Sequence, residues 1–361
     1  MAAEAHHPII EPIVLTDDAT VVGLYEPVPR EGGAHQSEAE LEAVLIRQLR
    51  AQAYEYVRMA DEAALIANLR ARLEDLNDYR FSDDEWKRFF EASIRTPGDS
   101  VIEKARRIQE DHVQNLIRDN GETKNIYLID KQNVHRNSLQ VINQYEATTA
   151  SRSNRYDVTI LVNGLPLVHI ELKRRGVAIR DAFNQISRYQ RDSFWAGAGL
   201  FGYVQVFVIS NGTHTKYYSN TVRLSQITEN QSGRREVKAA ASKSFEFTSW
   251  WSDAANNPIT DLVDFTRTFF AKHTLLAVLT RYCVLTVEDQ LMVMRPYQIA
   301  ATEAILRRIN SATLNKQTGR LAAGGYIWHT TGSGKTLTSF KTAKLAAGME
   351  GIDKVLFVVD R

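Results

Sequence analysis

The stretch RYDVTILVNGLPLVHIELKRRG, residues 155–176, sets Asp157, Glu171 and Lys173 into two otherwise apolar runs joined by Asn163-Gly164. Both turn residues tolerate positive φ, so the pair reads as the bend of a β-hairpin. A three-residue loop of Asn163, Gly164 and Leu165 would set position 157 opposite position 171; other loop lengths shift the register by one. Residues two apart on a strand share a face, so Lys173 would join the two carboxylates. Two acidic oxygens that converge make a hard-cation site suited to Mg²⁺. Such an ion can hold a phosphodiester oxygen, lower the pKa of a water and stabilise the leaving oxygen. An adjacent ammonium can orient that water or neutralise the charge of the phosphorane. The plainer alternative is an ion pair at a strand end.

The residues around the hairpin favour the chemical reading. The next helix carries Gln185 and Tyr189, one turn apart and pointing the same way. From Ser151 to Arg191 eight basic residues stand against three acidic ones, with Arg174, Arg175, Arg188 and Arg191 as candidate DNA contacts. The alternative is a solvated charged surface. Upstream, Glu42 lies beside the apolar face of the first helix; it is either a further metal-directed carboxylate or an ordinary helix charge.

A second group lies near the end of the sequence. Tyr326 to Trp328 reads as a short strand running into Thr330-Thr331-Gly332-Ser333-Gly334-Lys335-Thr336, with a helix after it. Strand, glycine-rich loop and helix form the context of a phosphate-binding loop. Backbone N–H groups of Gly332 to Thr336, with Thr331 before them, would cradle phosphates at a helix N-terminus. Lys335 would reach the β- and γ-phosphates, and the Thr336 hydroxyl would bind Mg²⁺. His329 stands where the usual spacing has its first glycine. Gln298, after Arg295-Pro296-Tyr297, resembles the adenine-reading Q motif of superfamily two helicases, or else belongs to a helix start with proline in its first turn. KVLFVVDR, residues 354–361, reads as a buried parallel strand that ends at Asp360 and Arg361.

The elements that must position these groups follow from patterning. SEAELEAVLIRQLRAQAYEYV is a helix with Ser37 as N-cap and Glu40 completing a capping box. Leu41, Leu45, Gln48 and Gln52 share a face, with Val44 and Leu49 beside it. Further helices are expected through Ile117. TKNIYLID and NSLQVINQYE read as strands, DAFNQISRYQRD as a helix, and GYVQVFVISNG and HTKYYSN as strands. The order predicts an α/β domain with a mixed sheet flanked by helices. Residues 1–36 are expected to be a tail or an added strand, 37–245 the first domain and 246–290 a connector. Residues 225–243 read as a loop, and a second domain is expected over 291–361.

Bulk properties narrow the class. With a formal net charge of +1 over 361 residues, nucleic-acid contact must come from local patches. No apolar run is long enough to span a membrane, and no secretory signal is evident at the N-terminus. The single cysteine, Cys283, excludes an intrachain disulfide framework and reads as a buried small hydrophobe; it fits a reducing, cytoplasmic location.

Asp157 followed by Glu171-x-Lys173 across a hairpin resembles the PD-(D/E)xK nucleases, with Tyr156-Asp157 in place of Pro-Asp. Taken in order with Gln185-x-x-x-Tyr189, Arg295-Pro296-Tyr297-Gln298, FTSWWSD and YIWHTTGSGKT, the sequence resembles the restriction (R, HsdR) subunit of type I restriction–modification enzymes. The resemblance implies a mixed-sheet PD-(D/E)xK endonuclease domain followed by a RecA-like, parallel-sheet motor that moves double-stranded DNA with ATP. It implies Asp157 and Glu171 as ligands of Mg²⁺, Lys173 as catalytic, and Gln185 and Tyr189 as organisers of the site or DNA contacts. It also implies methylation (M) and specificity (S) partner subunits, which bring S-adenosylmethionine binding. The sequence stops before a Walker B motif, so it reads as a fragment, and ATP hydrolysis and translocation by it alone are not expected. Two other readings remain open: a nuclease–helicase fusion of DNA repair, and a DNA-binding scaffold with an inactive nuclease site.

Overall fold

A computed structural model describes residues 9–12, 19–27, 36–148, 153–192, 199–221 and 244–358. The chain divides into two compact units. The larger takes Pro29–Trp251 and Ile259–Val293; the smaller takes Met1–Val28, Ser252–Pro258 and Met294–Arg361. Most of the expected connector, 246–290, falls within the larger unit. Cys283 is buried there against Ala105 and Leu291. No helix among the described residues is long and apolar enough to cross a membrane.

The smaller unit contains the antiparallel strands β1 (Ile9–Pro12) and β2 (Val22–Glu26), so the N-terminal segment supplies strands. The larger unit opens with helix α1 (Glu38–Ala51), whose Ser37–Glu40 capping box is formed as expected. The short strand β3 (Glu55–Tyr56) follows, then α2 (Glu62–Asn77), α3 (Asp83–Phe89) and α4 (Val101–Gln109). Helix ends there. Val113–Ile117 (β4), where further helix was expected, pairs with the expected strand at Thr123–Tyr127 (β5). The turn at Asn120-Gly121, with Gly121 at φ +84°, closes that hairpin.

The central sheet adds β6 (Leu139–Thr148), β7 (Ser153–Val162), β8 (Leu165–Leu172), β9 (Val206–Ser210) and β10 (Thr215–Ser219). Helix α5 (Ile179–Asp192) connects β8 to β9. The strand order is β10-β9-β8-β7-β6-β3, with β8–β9 and β6–β3 parallel and the rest antiparallel. The mixed sheet predicted from the sequence is thus present. β8 is buried along its whole length, as a central strand with both faces covered must be. On α1, Leu41, Leu45 and Leu49 are buried, while Gln48 and Gln52 donate to the carbonyls of Val263 and Thr266. These two amides hold the helix Leu262–Thr268 against α1.

The tip of the β7–β8 hairpin is built from Asn163 at φ +50° and Gly164 at φ +82°. Asn163 is buried; its amide donates to the Leu128 carbonyl and to Asn137 Oδ1, and its Oδ1 accepts from the Ser138 N–H. Gly164 lies directly on α2.

In the smaller unit, the helices Pro296–Leu314 and Lys335–Ala346 form, but neither 326–328 nor the described part, 354–358, of the strand expected over 354–361 is in a strand. Tyr326 and Trp328 are each 88% exposed, and Val355 to Val358 are exposed as well. An apolar run becomes a strand only when a neighbour satisfies its backbone, and no described segment pairs with either run. Asp360 and Arg361 lie outside the described residues, as does the loop 225–243.

Candidate active site

The hairpin register brings the expected carboxylates together by a different route from the one expected. Val162 pairs with Leu165, so the loop has two residues. That register alone would put position 157 opposite 170. A bulge between Ile160 and Leu161 then leaves Leu167 without a partner on β7, and Ile160 pairs with Val168, Thr159 with His169 and Val158 with Ile170. Continued by one residue, the ladder sets Asp157 opposite Glu171. Asp157, Thr159, His169 and Glu171 therefore share one face.

The contacts at this face are specific. Asp157 Oδ2 accepts from the Leu172 N–H at 2.9 Å. The Lys173 ammonium donates to Glu171 Oε1 at 3.2 Å and to the Leu172 carbonyl at 2.9 Å, with Glu38 3.6 Å away. Glu171 is fully buried, and among the described residues its Oε2 accepts no hydrogen bond. Burial pushes the Asp157 carboxyl up to about 7, and the neighbouring Glu171 charge adds to this. Burial likewise raises Glu171 to about 8, against the pull of Lys173. Burial lowers His169 to about 4, which keeps the ring neutral. Two carboxylates held this way resist ionising together; a cation between them would remove that conflict.

The residues present suit Mg²⁺, which is commonly held by one or two carboxylates with waters and substrate phosphate oxygens. The buried, unbonded Oε2 of Glu171 supports the same fit. Among the described residues no group of three or more acidic, histidine or cysteine side chains could hold a metal. Glu42, the further candidate carboxylate, is engaged by neighbouring side chains. Its carboxylate is buried and bonded to the side-chain amides of Asn143 and Gln144. Gln144, at φ +51°, stands opposite Asp157 in the β6–β7 register, between the Asn143–Val158 and Tyr145–Tyr156 pairs. No residue pattern in the sequence marks this positive-φ position within the strand.

Gln185 and Tyr189 meet as the helical spacing requires. The Gln185 amide donates to the Tyr189 hydroxyl, and that hydroxyl donates to the Arg155 carbonyl at 2.9 Å. The Tyr189 ring packs edge-to-face on Tyr156, 5.1 Å between centroids. The pair thus braces the start of β7 from α5. Of the basic residues, Arg174 and Arg188 are exposed. Arg175 is engaged within the fold, by Gln36 at 2.6 Å, Thr213 at 2.9 Å and Asp261 at 3.3 Å. The side chain of Arg191 lies outside the described residues.

In the smaller unit, Gly332 and Gly334 take positive φ and Gly334 caps the helix Lys335–Ala346. The Ser333 carbonyl accepts from the Tyr297 hydroxyl at 2.8 Å and from Gln298 Nε2 at 3.0 Å. Gln298 Oε1 meanwhile accepts from the Arg295 N–H and closes a capping box. Gln298 therefore belongs to the helix start and also contacts the loop. The Lys335 ammonium donates to the carbonyls of Thr330 and His329. Thr331 and Thr336 are exposed on either side of the loop's glycines.

Residues 35–226 match the family described as type I restriction enzyme R protein N terminus. Residues 291–361 match that described as type III restriction enzyme, res subunit. The chain belongs to the type I restriction enzyme R protein family. It is 46% identical over 308 residues to the type I restriction enzyme EcoprrI endonuclease subunit of Escherichia coli, across 85% of this chain and 93% of that protein. It is 38% identical over 333 residues to the SsaAORF53P endonuclease subunit of Staphylococcus saprophyticus, across 91% of this chain and 32% of that one. Against the putative MjaIXP endonuclease subunit of Methanocaldococcus jannaschii it is 26% identical over 255 residues, across 68% of this chain and 24% of the relative. The chain thus spans about a third or less of the length of the latter two relatives.

Proposed function

We propose that this chain carries the DNA-cleaving centre of a type I restriction enzyme, a PD-(D/E)xK site that hydrolyses phosphodiesters of double-stranded DNA with Mg²⁺. The observation that carries the proposal is the meeting of Asp157, Glu171 and Lys173 on one face of the β7–β8 hairpin. Asp157, held by the Leu172 amide, and Glu171 would bind the ion. When bound, Mg²⁺ would polarise a phosphoryl oxygen and ease deprotonation of a water. Lys173 is aimed by Glu171 Oε1 and the Leu172 carbonyl, so its ammonium is available to orient the attacking water or offset developing negative charge. Gln185 and Tyr189 keep the strand beneath the carboxylates in place, and Arg174 and Arg188 are exposed for DNA backbone contacts.

The test is nicking of supercoiled plasmid in Mn²⁺ by the chain and its Lys173→Ala variant. We expect metal-dependent nicking that falls by about 10²-fold in the variant. Equal nicking by both would remove Lys173 from the site.

The glycine loop and Gln298 are read as the ATP-binding start of a RecA-like motor that drives translocation, with Thr336 as its Mg²⁺ ligand. Type I enzymes imply M and S subunits as partners, with S-adenosylmethionine bound on their side, in the cytoplasm. Titration of a fluorescent ATP analogue should show Lys335→Ala binding at least about tenfold more weakly. An unchanged affinity would reject the loop as the phosphate site.

A further inference from the structure

The hairpin holds another buried ionisable side chain, His169, which the chemistry above does not use. It is fully buried and lies on the same face as Glu171, two residues before it. Its ring is set edge-on against three aromatics. The centroid distances are 5.6 Å to Tyr156, 6.2 Å to Tyr189 and 6.2 Å to Phe207. Burying an imidazole among such rings is costly unless its nitrogens find partners, whereas Leu or Phe would fill the space at no polar cost. Two polar side chains face the ring nitrogens. Thr159, directly across the ladder, sets its Oγ1 3.1 Å from Nδ1. Glu171 Oε2 lies 3.5 Å from Nε2. With the Thr159 hydroxyl donating to Nδ1, the neutral ring carries its proton on Nε2 and directs it at the carboxylate.

We propose that His169 is a positioning residue: its Nε2–H restrains the Glu171 carboxylate so that it faces Asp157 ready to share a divalent cation. Lys173 then holds Oε1 with a hydrogen bond, and His169 Nε2 faces Oε2 across 3.5 Å, a polar contact outside hydrogen-bond geometry. Thr159 sets the tautomer, and Tyr156, Tyr189 and Phe207 set the plane of the ring. The Gln185–Tyr189 pair thereby reaches the metal site through the histidine. Outer partners of this kind hold ligands in the orientation a metal needs.

The inference rests on the metal reading of Asp157 and Glu171, and the experiment separates the two. Mn²⁺ binding to the whole chain is measured by electron paramagnetic resonance for wild type, Asp157→Asn, His169→Phe, His169→Gln and Thr159→Val. Thermal unfolding in EDTA is followed in parallel. His169→Phe fills the volume without a donor, while His169→Gln keeps an N–H near the position of Nε2. We expect His169→Phe to weaken Mn²⁺ binding by about 10–100-fold without lowering the unfolding midpoint. His169→Gln should recover most of that loss, and Thr159→Val should weaken binding in the same direction. Mn²⁺ binding by His169→Phe equal to wild type would overturn the proposal. So would equal losses in the Phe and Gln variants, which would mean a packing role. If His169→Phe does not fold, Thr159→Val decides alone, and unchanged binding there overturns it. If Asp157→Asn leaves Mn²⁺ binding intact, the metal reading itself fails and this proposal falls with it.

Discussion

Asp157→Asn is expected to reduce metal-dependent DNA nicking by about 10²–10³-fold and, in the same molecule, to raise the stability of the metal-free protein at alkaline pH. The loss follows because the amide keeps the shape but gives up the charge that would hold the cation. The gain follows from linkage. Asp157 and Glu171 have folded-state values of about 7 and about 8, above the ordinary values of about 3.9 and about 4.3 for unfolded Asp and Glu. The folded chain therefore holds more protons than the unfolded one between those limits, and its stability falls as pH rises through the window. Removing one carboxyl removes its own share and the repulsion it exerts on the other. Unfolding midpoints in EDTA at pH 5 and pH 8.5 give the check. The variant should exceed wild type at pH 8.5 by more than at pH 5. A variant less stable than wild type at pH 8.5 would mean that the two carboxylates are not in conflict.

Gly164→Ala should destabilise the larger unit by roughly 3 kcal/mol, combining a cost for an L-residue at positive φ with one for overpacking. A Cβ built on Gly164 would lie 2.6 Å from Leu69 Cα and 3.1 Å from Leu69 N. Those are backbone atoms of a buried position on α2, so no side chain can rotate out of the way. Urea unfolding of the two proteins measures the difference. A change below about 0.5 kcal/mol would show that the hairpin tip is free to lift off α2.

The sequence made the hairpin, the helix caps and the mixed sheet legible, because each rests on local chemistry: Asn163-Gly164 for the turn, Ser37 and Glu40 for the cap, apolar runs for buried strands. It made Asp157, Glu171 and Lys173 legible as a set through their spacing. What it could not reveal depends on tertiary partners. The bulge at Leu167 has no residue signature, since leucine is as common in regular strands. His169 read as one more position in an apolar run until its neighbours across the ladder were known. Arg175 looked like its basic neighbours, yet Gln36, Thr213 and Asp261 claim it from segments distant in the chain. The apolar runs around the glycine loop had the composition of strands, but pairing is decided by what lies alongside.

The bulge also makes the hairpin a parity device. Adding residues at the turn would lengthen the connection and leave Asp157 facing Glu171, because the ladder below can keep its pairs. Removing Leu167 alone would restore a regular ladder down from the two-residue turn, a fold with nothing visibly wrong. Asp157 would still face Glu171, because the deletion takes out the one residue that the bulge adds; a straightened ladder that kept Leu167 would instead set Asp157 opposite Ile170 and turn Glu171 to the other face. Length variation among related chains should therefore be tolerated at Asn163-Gly164 and at Leu167, and forbidden, except in compensating pairs, between the Ile160–Val168 pair and the acids.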